Sequence, residues 1–174
     1  AGALLPGTNI RYLGSTDDSA NVLVGAQEAH KRKGDSLNWS GSPLDGVTVD
    51  LKLRILWYSE TELRLVGTAR IVVNNVAPQA SAAAPQSEIK YSGAVAYSMA
   101  KGAEIPGSTI TYEGKFDEGA KLGGVADYPY RLEGDSIQWE GTLRPGVYIR
   151  VSLRVAQYNE RVLRVVGTVS LWLE

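Results

Sequence analysis

Shifting this sequence by 100 residues lays it on itself without a gap. Pro6-Gly7 falls on Pro106-Gly107, Gly34-Asp35-Ser36 on Gly134-Asp135-Ser136, and Trp39-x-Gly41 on Trp139-x-Gly141. The tract Leu63-Arg64-x-Val66-Gly67-Thr68 falls on Leu163-Arg164-x-Val166-Gly167-Thr168. About 26 of the 74 aligned positions are identical, the mark of an internal duplication, which constrains the fold before any single motif does.

The repeat divides the 174 residues into a first β domain at 1–74, a linker at 75–87 and a second β domain at 88–174. The linker reads NVAPQASAAAPQS, with no charge and no large hydrophobe beyond Val76, so it has no face to bury. Domains this small bury a modest fraction of their surface and gain stability from a neighbour.

Hydrophobic periodicity is that of strands. Val47, Val49, Leu51, Leu53, Ile55 and Trp57 alternate with polar residues, as do Val147, Ile149, Val151, Leu153 and Val155. A second alternating run follows in each copy, Leu63 to Val73 and Leu163 to Leu173, giving two long hairpins. Parity sets Asp50 opposite Arg70, Tyr148 opposite Trp172, Trp57 opposite Leu63, and Gly67 and Gly167 on the inner face opposite Leu53 and Leu153. Glycine on that face suits a sharp bend or a close backbone approach.

Shorter strands are expected at 9–13, 21–26 and 36–40 and at 109–113, 121–126 and 136–140. No stretch carries a helical period, so the expected fold is all-β: two tandem homologous small antiparallel β-barrel or β-sandwich domains. One more alternating strand, at 88–98, precedes the second copy and has no equivalent in the first. The first copy is then expected to keep an open edge, to share that strand, or to receive one from another chain.

A net charge of −1 with mixed signs leaves no footprint for nucleic acid, and no apolar run suits membrane insertion. No charged-then-apolar leader precedes Ala1, so if a signal peptide once existed it is already gone. The Ala/Pro/Gln/Ser connector fits a secreted or cell-surface protein.

Catalytic chemistry finds no constellation. The one histidine, His30, corresponds to Tyr130, which leaves no triad common to both copies. With no cysteine and one histidine, ordinary zinc sites are excluded. Asp17-Asp18 and Asp117-Glu118 lack the ligand spacing of a calcium loop. The shared acids Asp35/Asp135 and Glu60/Glu160 fall in expected turns, where Asp binds its own backbone. No catalytic, cofactor or metal residues are assigned, and a hydrolase using carboxylates alone ranks last.

Trp39 and Trp139 recur between Gly-Asp-Ser and Gly and read as core anchors. Tyr148, Arg154, Arg164, Val166 and Trp172 are expected on the outer face of the last hairpin, with Tyr148 and Trp172 specific to the second copy, a composition suited to a protein interface. The leading expectation is a non-enzymatic structural or assembly subunit that forms homo-oligomers or docks with other protein subunits. The alternative is a small binding module for carbohydrate or an apolar ligand.

Overall fold

A computed structural model describes residues 2–82 and 85–174; residues 1, 83 and 84, the last two within the expected linker, lie outside the described residues. The described residues are all-β, with four sheets. They divide into two compact units, Ala1–Asn74 and Asn75–Glu174.

In the first unit, β1 (Ile10–Ser15), β2 (Ala20–Val24) and β3 (Gln27–Lys31) form one sheet. A second sheet is built from β4 (Ser36–Leu44), β5 (Val47–Tyr58) and β6 (Leu63–Val73) in that order. The second unit contains β7 (Gln79–Ala80), β8 (Ile89–Ala100), β9 (Thr111–Phe116), β10 (Gly119–Gly123), β11 (Tyr130–Arg131), β12 (Ser136–Arg144), β13 (Val147–Tyr158) and β14 (Val162–Leu173). Its sheets run β11-β10-β9 and β7-β12-β13-β14-β8, and none of the four sheets closes into a barrel.

The long hairpins share one register. Val47 faces Val73 and Ile55 faces Leu65, as Val147 faces Leu173 and Val155 faces Val165. Asp50 lies opposite Arg70 and Tyr148 opposite Trp172, as parity requires. Beyond Ile55 the expectation fails, because a bulge shifts the ladder so that Trp57 faces Arg64 and Tyr58 faces Leu63. The same bulge separates Val155 from Gln157. Beside the bulge, Ile55 donates to Asp35 O and accepts from Gly34 N, at 3.0 and 2.8 Å, and Val155 does the same with Asp135 and Gly134. One extra residue is taken up in each case before the tip.

Gly67 and Gly167 lie opposite Leu53 and Leu153. A Cβ on either would come within 2.0 or 2.1 Å of the carbonyl oxygen of Lys52 or Ser152, so only glycine permits this approach.

A buried layer joins the two sheets of the first unit. In it, Ile10, Tyr12, Ala20 and Val22 of β1 and β2 pack with Leu37 and Ile55 of β4 and β5. The Tyr12 hydroxyl donates to Ser59 O in the hairpin tip, and Tyr112 donates to Asn159 O in the same way. An apolar ring thus fills the core while its one polar atom is satisfied at the rim.

Several elements depart from expectation. β3 carries no apolar alternation; it forms because β2 supplies a ladder, Ala20 to Lys31 through Val24 to Gln27. Its counterpart β11 is two residues long, and Pro129, which has no N–H, stands where the first copy has Ala29. β7, inside the stretch expected as a linker, pairs with β12 of the second unit. The strand expected at 88–98 extends to Ala100 and pairs along its length with β14 of its own unit.

Burial, then the Glu160 carboxylate and Tyr158, raise the Tyr112 pKa above its ordinary value of 10.0. The folded state therefore holds this proton more tightly than the unfolded chain. The associated stability is fully present below the unfolded value and is lost as pH rises through the folded one. Tyr112→Phe is expected to cost about 0.5–1.5 kcal/mol at neutral pH through the lost hydrogen bond. It should also make the loss of stability between neutral pH and about pH 11 shallower than in wild type. Urea midpoints measured across that range check this, and an unchanged alkaline slope would contradict it.

Candidate functional site

The feature that sets the two units apart is what borders their large sheets. In the second unit, β7 lines the outer edge of β12, with Gly141 facing Ala80 and Thr142 facing Gln79. Ala77 N donates to Leu143 O at 2.7 Å and Ser81 N to Glu140 O at 3.1 Å. A Cβ on Gly141 would come within 2.2 Å of Gln79 O. On the opposite side β14 accepts β8 in an unbroken register from Leu173–Ile89 to Val162–Ala100.

In the first unit, β4 and β6 each have β5 as their one strand neighbour among the described residues. The consequence appears in the inner face. Leu153, Leu163, Val165 and Leu173 are buried, whereas their counterparts Leu53, Leu63, Leu65 and Val73 are only half-buried. Trp139 is 7% exposed and donates its indole N–H to Thr109 Oγ1 at 3.1 Å. Trp39 makes the matching bond to Asn9 Oδ1 at 2.8 Å yet is half-buried, so the core-anchor expectation holds fully for the second copy alone.

The open side of the first unit carries further apolar surface. Leu56, Trp57, Val66 and Val72 are exposed on β5 and β6, with the Arg64 guanidinium 5.3 Å from the Trp57 ring. The second copy has Ala156 and Gln157 at the first two of these positions. Comparison of the copies residue by residue marks Leu56 and Trp57 as specific to the first, and the bulge puts Trp57 opposite Arg64 instead of on the inner face expected for it.

The five residues expected to form an interface lie on β13 and β14, in two groups. Tyr148 and Trp172 are paired and half-buried, and Trp172 lies between the Lys90 ammonium at 4.9 Å and the Arg150 guanidinium at 5.4 Å. Arg154 and Val166 face each other six residues along, at roughly 3.3 Å per residue about 20 Å away. Between them lie Ser152 with Thr168, and Ser170, whose hydroxyl meets that of Ser92 at 2.7 Å. Arg154 donates to Gly134 O at 2.9 Å, as Arg54 does to Gly34 O at 2.8 Å, so it supports a turn in both copies. Arg164 donates to Gln157 Oε1 at 3.3 Å across the bulge. The five do not form one contiguous patch.

A cluster absent from the sequence reading lies on the small sheet of the second unit. Phe116 and Tyr130 meet edge to face at 6.1 Å, Tyr128 and Tyr130 are 5.5 Å apart, and Phe116, Tyr128 and Leu132 are exposed. Lys121 lies 5.5 Å from the Phe116 ring and 2.8 Å from Glu113, whose hydrogen bond raises the lysine pKa. The first copy has Thr16, Glu28, His30 and Arg32 at these four places.

His30, Asp35 and Asp135 are engaged in local structure. His30 Nδ1 lies 2.6 Å from Asn21 Oδ1, and Asp35 and Asp135 accept from the backbone of Arg32 and Leu132 at 2.8 and 2.7 Å. Among the described residues no three His, Cys, Asp or Glu side chains are grouped to hold a metal ion, and no helix is long and apolar enough to cross a membrane. Comparison with protein-family models, with curated proteins and with solved structures finds no match.

Replacing Trp139 with Ala is expected to cost about 3–5 kcal/mol, the range for a buried aromatic, whereas Trp39→Ala should cost distinctly less because its ring is already partly in water. Denaturant unfolding of the two variants checks the ordering; equal costs would contradict it.

Proposed function

We propose that the chain is a tandem of two homologous antiparallel β-sandwich domains and serves as a non-enzymatic structural or assembly subunit, exported from the cell. The observation that carries this reading is the difference in sheet borders. One domain has strands beside both outer edges of its central hairpin sheet, while among the described residues the other has no strand beside either edge and part of its apolar inner face is only half-buried. Exposed sheet edges template pairing with further polypeptide, and proteins that do not use them protect them with inward charges, prolines or very short strands. β6 has none of these at its centre: Val66, Gly67, Thr68 and Ala69 are uncharged. The exposed Leu56 and Trp57 at the hairpin tip extend the apolar border.

A binding module for carbohydrate is the second reading, supported by Phe116, Tyr128 and Tyr130. Their rings are inclined by 72° and 54° rather than coplanar, which suits mutual packing more than a flat sugar platform.

Assembly through β6 predicts concentration-dependent association, followed by light scattering on the size-excluded protein from micromolar to near-millimolar concentration. Ala69→Lys places a charge on the inner face of the open edge at an already exposed position, so folding should be nearly unaffected while association falls. A wild-type chain that stays monomeric throughout, or associates equally well with lysine at 69, would overturn self-assembly through this edge.

A further inference from the structure

The second unit shows in detail what fits the open side of the first. Resting on the assembly reading above, we infer that the outer edge of β6 is an acceptor for one antiparallel strand with the side-chain pattern of β8.

The acceptor residues are nearly the same in the two strands. Leu63, Arg64, Val66, Gly67 and Thr68 recur as Leu163, Arg164, Val166, Gly167 and Thr168, and the strands occupy the same register against β5 and β13. On β14 these residues face Met99, Ser98, Ala96, Val95 and Ala94. The pairing has a size logic. Gly167 carries no side chain because the β13 backbone stands there, Ser152 O lying 2.1 Å from where a Cβ would be, and the residue facing it on β8 is the β-branched Val95. On the outer face, the branched Val166 and Thr168 meet two alanines, Ala96 and Ala94. The first unit keeps the same glycine and the same two branched residues, so it calls for the same complement.

Burial says which face the missing strand would cover. Met99 is buried in the second unit, beside Leu163. Leu63 is only half-buried, as are Leu65 and Val73, whose counterparts Val165 and Leu173 face Tyr97 and Ile89. A strand with apolar or aromatic residues at every second position, a branched residue opposite Gly67 and small residues on the other face would bring these side chains to the burial seen in the second unit. Strand addition of this kind takes affinity from main-chain hydrogen bonds and specificity from alternate side chains.

The probe is a synthetic peptide with the sequence of residues 85–100, added to the full chain. In parallel, the same sixteen residues are fused directly ahead of Ala1, the position equivalent to their place before Lys101. Residue-resolved amide exchange should show the edge amides of β6 slowed by about tenfold or more in the fusion, and at saturating peptide, with β14 unchanged. A peptide with Asp at the positions of Tyr91, Val95 and Tyr97 should give no protection. If the fusion leaves β6 exchange as it was, or protects β6 equally with the Asp-substituted strand, the inference is overturned, because the fusion removes weak intermolecular affinity as an explanation. Self-association of the unfused chain is a separate outcome. A monomeric wild type with a protected fusion removes self-assembly and keeps the acceptor; association with an unprotected fusion does the reverse.

Discussion

An antiparallel sheet that is apolar on one face out to its last strand needs cover at that strand, because the side chains there have a neighbour on one side and water on the other. Each unadded contact leaves about 25 cal/mol per Å² of apolar surface ungained. The second unit meets this need with β8, whose alternate residues extend the inner face beyond β14. The first unit has the same central hairpin in the same register, and its inner residues stop half-buried. The two tryptophans differ at the other edge: Trp139 lies on β12, beside β7, while β4, which holds Trp39, has no such neighbour among the described residues.

Two kinds of glycine support this arrangement. Gly67 and Gly167 let the middle strand of each hairpin approach closer than any Cβ would permit, and on its other side Gly167 faces the branched Val95 of β8. Gly141 admits the backbone of Gln79. Gly41 keeps that freedom in the first unit, although the Trp39 ring alone, 2.4 Å from where its Cβ would stand, also requires glycine there. The β4 edge is therefore the weaker half of the case, and the β6 edge carries it.

Much of the fold was legible because strands of period two bury one face. The alternation from Val47 to Ile55 and from Leu63 to Val73 fixed the register, and with it the Asp50–Arg70 and Tyr148–Trp172 pairs. What was not legible arose from backbone bonds that side chains do not announce. The bulge after Ile55 moves Trp57 off its expected partner, and no side chain in the alternation signals it. β7 lies in an Ala/Pro/Gln/Ser stretch that has no face to bury, and it pairs through main-chain groups alone. The outer-face patch was read from parity, which names the face but not the spacing, so Tyr148–Trp172 and Arg154–Val166 emerged as separate groups. The cluster of Phe116, Tyr128 and Tyr130 was hidden because its residues come from different strands and the turn before one of them.

The most direct test of the account is amide exchange along β6 and β14 in the dilute, unmodified chain, compared position by position from Leu63 with Leu163 to Val73 with Leu173. If one domain is completed by a neighbouring strand and the other is not, amides of β6 that point away from β5 exchange faster than their counterparts, which are bonded to β8. Amides that point toward the middle strand are protected in both. Equal protection of the outward amides in a chain shown to be monomeric would mean that the first unit is already closed, and would contradict the account.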